Sequence, residues 1–232
     1  MMKRLTSRVG FEAACSLGIL FVVLFVPLAF SDNAKKVPVG AVAAQLTGRL
    51  IGSGGINGDY EFLCYATFIE GLGTSLFVGD PSEHTAQITL RSDQFRFQAF
   101  ANGQLIHFGR LALPDAPPAQ VRVYYMASPN HDFSDPDSFS QGQLVGVLQS
   151  RGIQGSLTPS FGFEASGTLN VESASDVSIG GKRVNLRDLG GSLTASLHGI
   201  APSAGQFGAG GALSIPLDGA VYSAAGFREA SE

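Results

Sequence analysis

The chain has 232 residues, with 15 lysines and arginines against 19 aspartates and glutamates, so its formal net charge is −4. Nucleic acids and anionic lipid headgroups bind clustered lysines and arginines. After the first 31 residues the longest basic cluster, Lys35-Lys36, has two residues. The composition therefore argues against nucleic acid and against anionic lipid headgroups as partners.

The N-terminal residues have the layout of a secretory signal peptide. Three basic residues precede an unbroken apolar run at residues 13–30, and the small residues Ala29 and Ser31 occupy positions −3 and −1 of a cleavage site. Pro27 would break a helix just before that site, which fits cleavage better than a continuous membrane span. We predict a signal peptide at residues 1–31, with retention as a membrane anchor as the alternative.

Residues 32–232 are predicted to form one all-β domain. Glycine occupies 30 of the 232 positions, and short alternating apolar segments recur about every ten residues, which is typical of an antiparallel sandwich or barrel. We predict a single antiparallel β-barrel or β-sandwich of about a dozen strands. Only Cys64 follows the leader, so no disulfide can form within this domain. We expect the leader to direct this domain to the bacterial periplasm, the cell surface or the extracellular space. A domain without a disulfide needs no oxidative folding there.

The elements are predicted in chain order from hydrophobic periodicity and turn residues. One short helix is predicted at residues 39–46. The predicted strands are residues 46–51, 60–69, 75–78, 85–91, 95–100, 105–113, 120–126, 143–149, 161–165, 168–172, 192–198 and 213–217.

The strand at residues 60–69 is apolar on both faces. One face carries Phe62, Cys64, Ala66 and Phe68, and the other carries Leu63, Tyr65 and Ile69. A strand of this kind is covered on both sides, so we expect it at the centre of a sandwich or against a plug inside a barrel.

The first predicted hairpin supplies the candidate ligand-binding residues. Asn102-Gly103 suits the centre of a type I′ turn, and that turn places Gln98 opposite His107, with Arg96 diagonal to them. We interpret these three residues as polar groups of a pocket lined by Phe and Tyr, because small-molecule sites combine an apolar lining with a few polar groups. A solvated outer face is the alternative interpretation.

The second predicted hairpin turns at Gly180-Gly181, which places Val177 opposite Val184 and puts Ile179 on the same side. Two consecutive glycines suit a two-residue hairpin turn, in which both central residues have positive φ.

An acidic loop supplies the candidate metal ligands. Asp132, Asp135 and Asp137 lie within six residues, and Ca²⁺ is bound by carboxylates on loops. The spacing lacks the central glycine and the final glutamate of an EF-hand, so ordinary turn residues are the alternative. Beyond calcium, no cofactor is predicted.

No catalytic residue can be assigned from the sequence. The four histidines form no metal-binding pair, and no Gly-x-Ser-x-Gly motif marks a nucleophile. We predict an exported β-domain that binds a small apolar ligand, and an isomerase-like activity on that ligand is left open. The alternatives are a non-enzymatic structural or interaction module that binds another envelope protein, and a small outer-membrane β-barrel. In the first two cases membrane contact is expected only through an uncleaved leader.

Overall fold

A computed structural model describes residues 36–53, 58–96, 98–102, 105–109, 118–157, 162–200 and 212–225. For residues 98–102 and 105–109 it describes the backbone alone. The predicted signal peptide at residues 1–31 lies outside the described residues.

Strands make up most of the described chain. Their bounds are β1 (Val42–Ser53), β2 (Asp59–Ile69), β3 (Ile88–Ser92), β4 (Phe95–Arg96), β5 (Gln98–Asn102), β6 (Leu105–Gly109), β7 (Gln120–Tyr125), β8 (Gln143–Leu157), β9 (Gly162–Ala174), β10 (Val177–Ile179), β11 (Lys182–Val184), β12 (Ser192–Ile200) and β13 (Leu213–Ala225). The helical turns are α1 (Leu186–Leu189) and the 3-10 turns Gly73–Leu76, Glu83–Thr85 and Pro136–Ser140.

Eight of these strands close into an antiparallel barrel. Their order around the barrel is β1, β2, β3, β7, β8, β9, β12 and β13, and β13 returns to pair with β1. The all-β prediction is confirmed, and of the two predicted architectures the barrel is the one observed. The predicted size is wrong, because eight strands rather than about a dozen form the closed barrel. The other strands extend its wall or, in β10 and β11, form a separate hairpin.

Between β2 and β8 the barrel wall has two parts, which follow one another along the barrel axis. The first part is β3 and β7, and the second is β4, β5 and β6. One side of β2 pairs with β3 and, further along, with β4, where Tyr60 lies opposite Phe95. On β8, the side that pairs with β7 also pairs with β6, where Phe108 lies opposite Gly155. The β3–β7 ladder therefore ends at Ser92, and β4, β5 and β6 continue the wall beyond it.

Three sequence-based assignments of secondary structure are wrong. Residues 39–46 form no helix, because β1 begins at Val42 and pairs with β2 on one side and β13 on the other. Residues 75–78 lie in a 3-10 turn and an isolated bridge instead of a strand. The strands predicted at residues 161–165 and 168–172 are the single strand β9, which runs through Gly167.

The first hairpin forms in a different register from the predicted one. Gln98 lies opposite Gly109 and His107 lies opposite Phe100, so the predicted pairing of Gln98 with His107 is wrong by two residues. Arg96, which was predicted to lie diagonal to this pair, belongs to β4 and pairs with Asp59.

The second hairpin has the predicted register. Val177 lies opposite Val184, and Ile179 lies opposite Lys182. The two turn residues, Gly180 and Gly181, have φ angles of 56° and 77°, which side chains other than glycine rarely adopt. The glycine pair therefore identified this hairpin correctly.

Strand β2 is covered on both faces, as predicted. Cys64 faces the barrel interior, whereas Leu63 faces outward and is fully buried. A register shift in the β1–β2 ladder near Thr67 exchanges the faces beyond it. Ile69 therefore faces inward, although the strict alternation predicted the opposite.

Residues 129–141, which we call the outer segment, cover the outside of β1, β2 and β3. The centre of the Phe133 ring lies 6.2 Å from that of the Tyr65 ring. The guanidinium of Arg49 lies over the Phe133 ring, 5.0 Å from the centre of that ring. Arg91 donates hydrogen bonds to Glu61 at 3.0 Å and to Asp137 at 2.7 Å. These contacts hold the outer segment against the outside of the barrel, the side on which Leu63 is fully buried.

Candidate functional site

An apolar cavity of about 100 Å³ lies inside the barrel. All eight barrel strands contribute side chains to its lining, and Leu186 and Leu189 of α1 also face it. Helix α1 is held in this position in part by Asn185, whose side chain accepts a hydrogen bond of 2.9 Å from the backbone N–H of Arg187. The cavity is therefore formed by the barrel wall and by the connection between β9 and β12.

The space exists because many inward positions carry small residues. Eight-stranded barrels are narrow enough for large side chains to fill them, and here several strands place an alanine or glycine on the inner face. These small lining residues are Ala44, Ala66, Ala119, Gly152, Ala165, Gly167 and Ala195. In the described lining Phe62 is the one aromatic residue, and a lining of Phe and Tyr stays a prediction.

Three side chains in the described lining carry a group that can form a hydrogen bond. Ser92 accepts a hydrogen bond of 2.8 Å from the backbone N–H of Phe62. The hydroxyl of Ser150 has no hydrogen-bond partner among the described residues. The third group is the thiol of Cys64, which is free and fully buried.

Burial raises the pKa of the Cys64 thiol to about 12, with a smaller contribution from the negative charge of Asp218. A thiol with this pKa carries its proton throughout the physiological pH range, and the thiol is a poor nucleophile compared with the thiolate. Cys64 therefore contributes to the cavity as a small neutral side chain.

The free energy of unfolding is expected to fall by about 1.4 kcal/mol per pH unit above pH 9 because of Cys64. In the unfolded chain the thiol ionises near its ordinary pKa of 9.0, whereas the folded chain keeps the proton up to about pH 12. Below pH 9 both states are protonated, so this group adds no pH dependence there. Urea titrations between pH 8 and 10 measure the slope. Cys64→Ala should remove it, and parallel profiles for the two proteins would contradict the assignment.

Of the three predicted ligand-binding residues, Arg96 is the one whose side chain the structure describes. Arg96 is exposed and forms a bidentate ion pair with Asp59. Its Nε lies 2.5 Å from Oδ1 of Asp59, and its Nη2 lies 3.2 Å from Oδ2. This contact holds the pKa of the Asp59 carboxyl below its usual value and joins β4 to β2. Arg96 is not part of the described cavity lining, and the side chains of Gln98 and His107 lie outside the described residues.

All three candidate calcium ligands lie in the outer segment, and each has a separate structural role there. Asp132 accepts a hydrogen bond of 2.7 Å from the backbone N–H of Ser134, which lowers the pKa of its carboxyl. Asp137 pairs with Arg91, and Asp135 precedes the 3-10 turn that begins at Pro136. Across the described residues, no group of three or more His, Cys, Asp or Glu is placed to hold a metal ion. The contacts favour the turn interpretation, and a calcium site stays a prediction.

Comparison of this chain with models of protein families, with curated proteins and with solved structures finds no match. Within the described ranges, no helix has both the length and the apolar character needed to cross a membrane. The geometry of the barrel and the chemistry of its lining therefore carry the functional argument.

Sequence reasoning missed Ser92 and Ser150. The strand predicted at residues 143–149 stops one residue before Ser150, whereas β8 continues to Leu157. A signal was present in the sequence, because Leu148 and Ser150 are two residues apart and therefore share a face of a regular strand. A serine on an otherwise apolar face marks a polar position in the interior.

Proposed function

We propose that the barrel binds a small apolar molecule in its interior. The observation that carries this proposal is the cavity, whose described lining is apolar except for two serines and one neutral thiol. Ligand sites are concave and mostly apolar, with a small number of polar groups. A cavity of about 100 Å³ is far larger than the roughly 10–15 Å³ that one water molecule needs.

The distribution of polar residues favours this proposal over the outer-membrane alternative. Membrane barrels place apolar residues outside and polar residues inside. Here Leu46 and Leu50 of β1 are buried in the interior, whereas Gln45 before them and Thr47 between them face outward. The same polarity is found on β13, where Asp218 is exposed between the buried residues Leu217 and Val221.

The structural-module alternative predicts a filled interior, so the cavity favours ligand binding over it as well. Isomerase-like chemistry requires a group that transfers a proton. In the described lining the thiol of Cys64 is the one titratable group, and its raised pKa suits it poorly for that role. The proposal is therefore one of binding. The export of the protein is proposed from the leader sequence alone.

Methylenecyclobutane, an apolar molecule smaller than benzene, is expected to bind to the purified protein with a stoichiometry of one per chain, measured by isothermal titration calorimetry. Ala165→Leu adds three carbons to an inward position of the lining and should weaken binding at least about tenfold, a change of about 1.4 kcal/mol. The matched control is Ala220→Leu, the same substitution on the outside of β13, which should leave the affinity unchanged.

Two results would overturn the proposed function. One is the absence of saturable methylenecyclobutane binding to the wild-type protein. The other is an equal effect of Ala165→Leu and Ala220→Leu, because binding would then occur at a surface that the interior substitution does not occupy. Circular dichroism of both variants verifies that the barrel remains folded.

A further inference from the structure

Ser150 places an unpaired hydroxyl group in the wall of the cavity. The residue is 4% exposed and faces the interior from β8. Its backbone N–H donates a hydrogen bond of 2.9 Å to the carbonyl of Ala119, which fixes the residue in the wall. Its hydroxyl has no hydrogen-bond partner among the described residues. Because buried polar groups in native proteins are almost always paired, this hydroxyl requires a partner that the described chain does not supply.

A second hydroxyl lies in the same region of the wall. Ser92 ends β3 opposite Val121 of β7, and Val121 lies opposite Leu148 of β8. Ser150 is two residues beyond Leu148, on the same face of its strand. Since the Oγ of Ser92 accepts the N–H of Phe62, its own proton remains available to another acceptor. The polar character of the described cavity is therefore concentrated where β3 ends and β7 begins.

The described lining carries no formal charge. It contains no carboxylate, ammonium, guanidinium or imidazole group, and the thiol of Cys64 is protonated. A charged ligand in such a cavity would lose its hydration without gaining a counter-charge, which is strongly unfavourable. The ligand that fits this lining is neutral.

We infer that the cavity selects a neutral molecule smaller than benzene, with a hydrogen-bond acceptor such as a ketone carbonyl that the Ser150 hydroxyl binds. The inference rests on the proposed function and specifies its ligand class. The size follows from the volume of about 100 Å³, which is below the roughly 150 Å³ of an engineered apolar cavity that holds benzene. The hydroxyl of Ser150 donates to the acceptor, and the apolar lining surrounds the rest of the molecule.

Three compounds of similar size test this inference on the purified protein. Cyclobutanone carries a carbonyl oxygen, methylenecyclobutane carries a CH₂ group in its place, and cyclopropanecarboxylate carries a charged carboxylate. Their affinities are measured by calorimetry for the wild-type protein and for Ser150→Ala. Ser150→Ala should weaken cyclobutanone binding about three- to tenfold, as expected for one hydrogen bond. The affinity for methylenecyclobutane should change less than about twofold, and cyclopropanecarboxylate should bind about 100-fold more weakly than cyclobutanone.

Ser223→Ala is the matched control. Ser223 is also buried with an unpaired hydroxyl, but it is not part of the described cavity lining. This substitution should leave the affinities for cyclobutanone and methylenecyclobutane unchanged. If methylenecyclobutane binds and Ser150→Ala does not weaken cyclobutanone binding selectively, the inference is overturned and the proposed function stands. Cyclopropanecarboxylate binding as tight as that of cyclobutanone, or an equal loss of cyclobutanone affinity in Ser223→Ala, also overturns the inference. If neither neutral compound binds, the proposed function fails as well.

Discussion

Replacing Phe95 with alanine is expected to lower the free energy of unfolding by about 4 kcal/mol. Phe95 is fully buried, and its ring stacks on that of Phe62 with 5.0 Å between the ring centres. The ring of Tyr60 lies 6.3 Å away on the same strand as Phe62. The substitution removes the apolar contacts that attach β4 to β2 and leaves a void beside Phe62, which lines the cavity.

Urea-induced unfolding followed by circular dichroism measures this loss. Phe68→Ala is the matched control, because the same atoms are removed from a ring that is only partly buried. It should cost clearly less than Phe95→Ala. Equal losses for the two variants would contradict the role given to Phe95.

Gly48→Ala is expected to destabilise the barrel by about 3 kcal/mol, at the upper end of the usual cost of overpacking. At this residue β1 approaches β2 so closely that an added Cβ would overlap the carbonyl oxygen of Leu63 and lie 2.6 Å from the Sγ of Cys64. The overlapped atom belongs to the backbone, so rotation of a side chain cannot relieve the contact. The strands would have to separate, and the pairing of Gly48 with Cys64 would weaken.

The control for Gly48 is Gly181→Ala, since an added Cβ there would have no atom within 4 Å. Its cost should be about 1 kcal/mol, because its φ of 77° is unfavourable for alanine. Thermal and urea unfolding of both variants separate steric overlap from backbone conformation. A Gly48→Ala protein as stable as Gly181→Ala would show that the two strands can move apart at little cost.

The two hairpins differ in how well their turn residues predict the register of their strands. At Gly180-Gly181 two consecutive residues require positive φ, so the turn alone determines the pairing of Val177 with Val184. In the first hairpin the register also has to satisfy the pairing of β6 with β8, at Phe108 opposite Gly155. That partner lies far along the chain, and the Asn-Gly dipeptide carries no information about it.

The alanine-rich start of β1 was misassigned for a related reason. The residues around Ala43 and Ala44 have high helix propensity, but each side of this segment pairs with another strand, one of which is β13. Tertiary pairing overrides propensity in such segments. The alternation of Phe62, Cys64 and Ala66 was predicted correctly, because it is local to one strand.

The candidate site was less predictable than the fold. The small residues that leave room in the lining, such as Ala44 on β1 and Ala195 on β12, come from distant parts of the chain. Only the closure of the barrel brings them around one cavity. Arg96 looked suitable as a pocket residue because it is polar and close to the hairpin, but the nearby Asp59 carboxylate binds it at the surface.

The pairing of β13 with β1 and of β8 with β9 has a consequence for the way in which the molecule comes apart. In a ring of eight ladders every strand has two neighbours, so none of the eight can leave without breaking two rows of hydrogen bonds. In an open sheet, unzipping begins at the terminal strand, and this ring provides no such starting point. Outside the ring, β4 pairs with β2 alone and β5 pairs with β6 alone among the described strands, while β10 and β11 pair with each other. Stability in this molecule is therefore shared around the ring, while β4 and β5 can each separate by breaking a single row of hydrogen bonds.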